Sequence, residues 1–274
     1  MAVYVSTGYQ GTAYPLTHGR LCWDATVGPI TASTAADGFA AANAATVRTD
    51  SAWRPTATPA SWSNAFAAAT EISFIGIAKH DLGTQNATLS IEGDPEGATG
   101  WVVIPGLGSV QPGDDTPLLF LFPEGSYEAI RVRVTAADGN PTISVIRAGR
   151  AQEWPRPFVW TGQPITESDQ ISFENTLAVT GNWLGRSIAS DGLSFSLTMN
   201  NATETWRQTD FAAFKAYANG EDAAFFVAPR PGSYPDEIAY AWATDVVTAD
   251  RAMPNRRIST SVTLNCRGLR PADG

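Results

Sequence analysis

The stretch AGRAQEWPRPFVWTG, residues 148–162, divides the chain into two unlike halves. Pro155 and Pro157 lack a backbone donor and push the residues before them towards extended conformations, so neither a helix nor a central strand runs easily through Trp154–Pro157. Before it lie short strand-like runs separated by Gly, Pro and Asp; after it a helical pattern appears among the strands. Trp154 and Trp160 make the stretch too apolar for a free linker. We therefore read 151–165 as a rigid joint, with both tryptophans buried in an interdomain or intersubunit contact. The resulting domains are an extended arm at 1–20, a β-sandwich at 21–150, an α+β assembly domain at 166–269 and a tail at 270–274. The alternative is a proline-rich loop inside one large β domain.

Upstream, Ile72-Ser73-Phe74-Ile75-Gly76-Ile77 is nearly continuous in apolar residues, the mark of a strand buried on both faces. Further strands are expected at Leu21–Trp23, Ala87–Ile91, Trp101–Ile104, Leu118–Phe122, Ala129–Thr135 and Thr142–Ile146. Ile130, Val132 and Val134 face one way and Arg131 and Arg133 the other. Six or seven short strands with turns between them make a sandwich. Residues 1–20, with Tyr4, Tyr9 and Tyr14, hold no period and read as an arm ordered only if it lies on something. Downstream, Leu193, Phe195, Leu197 and Met199 alternate with polar partners as a half-buried strand. Thr203–Asn219 is helical, in one piece or two, with Asp210 able to cap a second segment and Gly220 as the stop. Ala224–Ala228, Ile238–Thr244 and Ile258–Leu264 complete an antiparallel sheet with one helix laid on it.

Across 274 residues the net charge is −9, spread over both halves, and this argues against specific nucleic-acid binding, which needs a basic footprint. Only two of the eighteen basic residues are lysines, and there are nine tryptophans; both suit protein interfaces, although a GC-rich genome also favours arginine. Cys22 and Cys266 alone form no disulfide framework or metal site. No signal peptide or membrane-spanning run is visible. His18 and His80 are the only histidines, and no catalytic triad, phosphate loop or metal motif accompanies them. We expect no catalytic residue, metal or cofactor, and read His80 as a hydrogen-bonded residue closing a strand. The carboxylates Asp114, Asp115, Glu92, Asp94 and Glu96 are read as solvated turns rather than a Ca²⁺ loop. Trp101, Tyr127, Arg131 and Arg133 are the surface candidates for glycan contact. Trp154, Trp160, Arg186, Arg230, Tyr234, Trp242, Arg256 and Arg257 are the candidates for an assembly interface.

Asn43-Ala44, Thr49 to Trp53-Arg54-Pro55, Trp62 and the strand 72–77 running into His80-Asp81-Leu82-Gly83 resemble, in that order, the discoidin-like, galactose-binding-type sandwich. The later half is similar to minor or distal tail proteins of long-tailed bacteriophages. The matching features are Trp183-Leu184-Gly185-Arg186-Ser187-Ile188, the strand 193–199, the helix with Trp206 and Phe211, Phe225-Phe226-Val227, and Tyr240-Ala241-Trp242. The bridge Trp154-Pro155-Arg156-Pro157 fits as well. The resemblance implies a mainly β chain: a discoidin-like sandwich followed by a tail-tube-like antiparallel domain with one helix. It implies a virion structural protein, not an enzyme, made in the host cytoplasm and carried at the tail tip. Its partners would be further copies in a ring, sixfold first and threefold second, and the neighbouring tube, hub and fibre proteins. DNA would pass an acidic lumen without specific binding. The ring-forming domain comes first in the distal tail proteins of this kind and second here. The alternative function is a carbohydrate-binding module protein that contacts host surface glycans.

Overall fold

The run 72–77 lies inside β4 (Ala60–His80), and Ile72, Phe74, Ile75 and Ile77 are all fully buried. In the computed structural model, which describes residues 3–95, 100–136, 138–159, 164–252 and 259–269, β4 pairs antiparallel with β7 (Leu118–Thr135) along most of its length. Register shifts at Ala65/Thr70 and Ile72/Phe74 bend this ladder, so that its two ends cover the same core. One end also pairs with β3 (Ile30–Ala32) and β5 (Thr88–Pro95), and β6 (Val102–Val103) follows β5 at the edge. The other end pairs with β8 (Ile143–Glu153) and, in parallel, with β1 (Val3–Val5). Trp53, Trp62, Phe120 and Val132 lie in the core between them.

Residues 3–20 hold more structure than an extended arm. Val3–Val5 is a strand, and Tyr9 and Leu16 are buried. The strand is held by β7, and the residues after it by a buried ion pair. Arg20 at the start of β2 (Arg20–Ala25) is fully buried, 3.2 Å from the Glu153 carboxylate at the end of β8. Glu153 also accepts from the backbone N–H groups of Thr12, Ala13 and Tyr14 at 2.7–2.8 Å, and Arg20 donates to the carbonyls of Tyr14 and His18. The chain is wrapped around this pair as a strap.

The remaining strands are β9 (Asp169–Leu177), β10 (Trp183–Ala202), β11 (Phe225–Ala228), β12 (Ala239–Ala243), β13 (Ala249–Ala252) and β14 (Ser259–Gly268). The helix runs from α1 (Glu204–Trp206) through a π turn (Arg207–Phe211) into α2 (Ala212–Ala218) without a break. Thr203 Oγ1 caps it by accepting from Trp206 N–H at 3.2 Å. Asp210 falls within the π turn and starts no second helix. Phe211 and Phe214 pack with Leu197, Phe225 and Leu264 in a second core.

One sheet path, β6-β5-β7-β4-β8-β2-β11-β12-β14-β10-β9, runs through both halves. Its hinge is β2, which pairs with β8 on one side and β11 on the other. A third core, with Phe74, Leu121, Val145, Phe226 and Tyr240, fills the space between the halves. Gly76 makes the close approach possible, since a Cβ there would lie 2.5 Å from the Phe226 ring. The described residues are thus mainly antiparallel β with a single α-helical segment. Trp154 follows β8 and is fully buried in the second core, 4.7 Å from Phe158 and 5.3 Å from Trp206 between ring centres. Trp160 lies outside the described residues. Among the described residues no helix is long and apolar enough to cross a membrane.

Candidate functional site

The most unusual surface is the outer part of the β9–β10 hairpin. β10 enters the second core with Leu193, Leu197 and Met199. Before Gly192 the strand has no such support, and β9 opposite it is exposed along nearly its whole length. The strands pair from Leu193↔Asp169 out to Trp183↔Leu177. Gly181, at φ +84°, supplies the left-handed backbone in the turn, where its N–H donates to Ala178 O at 2.8 Å. This arm carries Val179 fully exposed, Trp183 and Leu184 each 65% exposed, and Leu177, Ile188 and Phe173. Arg186 lies over the Phe173 ring at 3.9 Å and shields part of it. A two-stranded hairpin is marginal in water by itself, and large apolar patches on a protein surface mark interaction sites. The register Trp183↔Leu177 and Ile188↔Phe173 puts four of these side chains on one face of the hairpin.

The other assembly candidates are dispersed. Arg230 bonds Glu237 at 3.2 Å and stacks over Tyr234 at 3.9 Å, so this loop is braced from within while Tyr234 stays half-exposed. Trp242 is partly exposed on β12. Trp154 is a core residue. Arg256 and Arg257 lie outside the described residues, as does Glu96.

The glycan candidates divide. Arg131 lies over the Trp101 ring at 4.5 Å and is bonded to Glu92, with its Nε donating at 2.7 Å. Arg133 is exposed beside it, opposite Ser61 and Ser90 on the neighbouring strands. Tyr127 is not on this surface. It is buried with Phe122, because Gly93 and Gly125 leave the space its ring occupies; a Cβ on Gly93 would lie 2.4 Å from that ring.

His80 donates or accepts at both ring nitrogens: Nε2 is 2.8 Å from Thr116 O, and Leu82 N–H reaches Nδ1 at 3.3 Å. Thr116 O can only accept, so the neutral ring carries its proton on Nε2. Asp115 accepts from Gly83 and Thr84 N–H and from the Thr84 hydroxyl, closing the same loop. Cys22 and Cys266 are buried free thiols, and burial pushes both well above the usual thiol range.

Of the run 183–188, the sequence singles out Arg186 as an assembly candidate; the apolar side chains around it carry only the resemblance. Their exposure had no signal of its own, because alternation in a strand looks the same whether the apolar face meets a core or a partner.

No family model matches the chain, and no curated protein matches its sequence. Solved structures are similar to about half of it. A pectin-binding carbohydrate-binding module has 20% identity, with 48% of this chain and 96% of the module covered at a TM-score of 0.40. Chitosan-binding module 1 from the chitosanase/glucanase of Paenibacillus sp. IK-5 has 14% identity, with 46% and 97% covered at 0.38. An F5/8 type C domain of a Bacteroides fragilis protein has 14% identity, with 48% and 97% covered at 0.40. The similar structures are thus carbohydrate-binding and discoidin-like β-sandwich domains.

Proposed function

We propose that this chain is a structural subunit of a virion, set at the tail tip of a long-tailed phage, where copies join into a ring around the DNA channel. The observation that carries this reading is the β9–β10 arm: six large apolar side chains held away from either core, on a hairpin that needs a partner surface. The two halves share one sheet path and a common core, so the sandwich is carried rigidly beside the assembling half. The acidic balance suits a channel that DNA must slide past. Electron microscopy of tailed particles encoding this chain with a small tag tests the reading. Tag density at the tail tip with cyclic symmetry is expected; tailed particles lacking the tag overturn it.

A second reading is favoured by the Trp101–Arg131–Arg133 face, where a half-buried indole, two guanidiniums and serine hydroxyls lie together. Aromatic and polar groups in this combination suit a saccharide contact. Titrating the full chain with neutral disaccharides at millimolar concentration decides it. Binding lost in Trp101→Ala supports the reading, and no binding leaves this half as scaffold.

A further inference from the structure

A cleft of about 440 Å³ opens between the two halves, apart from both the arm and the Trp101 face. Its walls are Tyr9 and Thr12–Tyr14 of the strap, Trp23 and Asp24 of β2, the β8 residues Arg150–Glu153, and the helix from Trp206 to Ala213. Volumes of this size, at the meeting of two structural units, are typical of ligand sites.

The walls are held in place before any ligand arrives. Glu153 is saturated by three backbone N–H groups, the Tyr9 hydroxyl and Arg20. Gln152 ties β2 to the helix, since Trp23 Nε1 donates to its Oε1 at 2.7 Å and its Nε2 donates to Asp210 O at 3.1 Å. That carbonyl sits in the π turn, whose extra residue sets Thr209 and Asp210 on the cleft's rim.

The charge of the lining is unbalanced. Four carboxylates, Asp24, Glu124, Glu153 and Asp210, face one arginine among the described residues. Arg20 answers Glu153 from behind, and Arg150 pairs with Glu124 at 3.0 Å. Asp24 and Asp210 are left exposed, with no ion pair among the described residues. Beside them stand the partly exposed Trp23 and Tyr14, while Tyr9 is buried with its hydroxyl on Glu153. Carboxylates next to aromatic rings suit a guanidinium, which donates two hydrogen bonds to a carboxylate in its plane and stacks on an aromatic face.

We propose that this cleft is a binding site for a guanidinium group, presented by an arginine in a peptide segment of a partner protein. The test is a calorimetric titration of the full chain with Gly-Arg-Gly, Gly-Gln-Gly and lactose. Gly-Arg-Gly is expected to bind at least tenfold more tightly than Gly-Gln-Gly, and more weakly as salt rises. Asp24→Asn and Asp210→Asn, both at exposed positions, should each weaken it by about tenfold, and together abolish it, with the thermal transition unchanged. Equal affinity for the two peptides, binding of lactose in place of either, binding unchanged by the substitutions, or no binding of Gly-Arg-Gly to the folded chain would each overturn the proposal.

Discussion

His80 and Gly76 show how single residues hold β4 in place. Burial lowers the His80 pKa to about 4, outweighing the opposing pull of Asp115, the Thr116 carbonyl and Asp114. The folded chain thus takes up this proton later than the unfolded chain, whose histidine titrates near 6.5. The contribution of His80 to stability is full above about pH 6.5 and falls as pH drops towards 4, by about 3 kcal/mol in total. Denaturant melts across this range should show the slope in the native chain and lose most of it in His80→Gln. At Gly76, an added methyl meets the Phe226 ring. Gly76→Ala is expected to cost about 1–3 kcal/mol by overpacking. In Phe226→Ala, where the ring is gone, the same change should cost clearly less, a coupling that a double-mutant cycle measures. The tryptophans and the β4 run were legible as core from sequence. The burial of Tyr127 was not, because it depends on Gly93 and Gly125, one on a neighbouring strand and one beside it in β7.

Two elements behave in opposite ways, the strap and the arm. The strap has little secondary structure, yet it is fixed by Glu153. Burial raises the pKa of that carboxyl, but the N–H groups of Thr12, Tyr14 and Ala13 and the Arg20 charge together bring it below the usual value. Its stabilisation is therefore present above the ordinary carboxylate range near pH 4.3 and is lost as pH falls through the lowered value. Glu153→Gln leaves Arg20 buried without its counter-charge, and should cost about 3 kcal/mol at pH 7 and markedly less once pH has fallen through the lowered Glu153 value. Limited proteolysis between Tyr9 and Arg20 should speed up in the same variant. The arm is regular but touches no core. Trp183→Ser with Leu184→Ser should change stability by no more than about 0.5 kcal/mol, as at other exposed sites, while removing self-association. Periodicity made the inner part of β10, 193–199, legible and left its outer part and the strap unreadable, since a strap is specified by long-range bonds to one carboxylate rather than by a local repeat.

At the scale of the whole molecule, the change of pattern at 148–162 was visible because proline and helix signals act locally. The route of the sheet was not. It passes through β2, six residues whose partners lie more than a hundred positions away on either side. Leu21 of β2, Trp154 and Phe158 all belong to the core beneath the helix. A fragment beginning near Thr161 would lack all three, so assembly has to be measured on the full chain. The central claim is that the chain self-assembles through its apolar arm. Sedimentation velocity of the full chain and of the Trp183→Ser, Leu184→Ser variant tests it most directly. The account predicts a discrete oligomer, at a multiple of the 29.1 kDa chain, that reverts to monomer in the variant. A native chain that stays monomeric at high concentration, or an oligomer that the variant leaves intact, would contradict it.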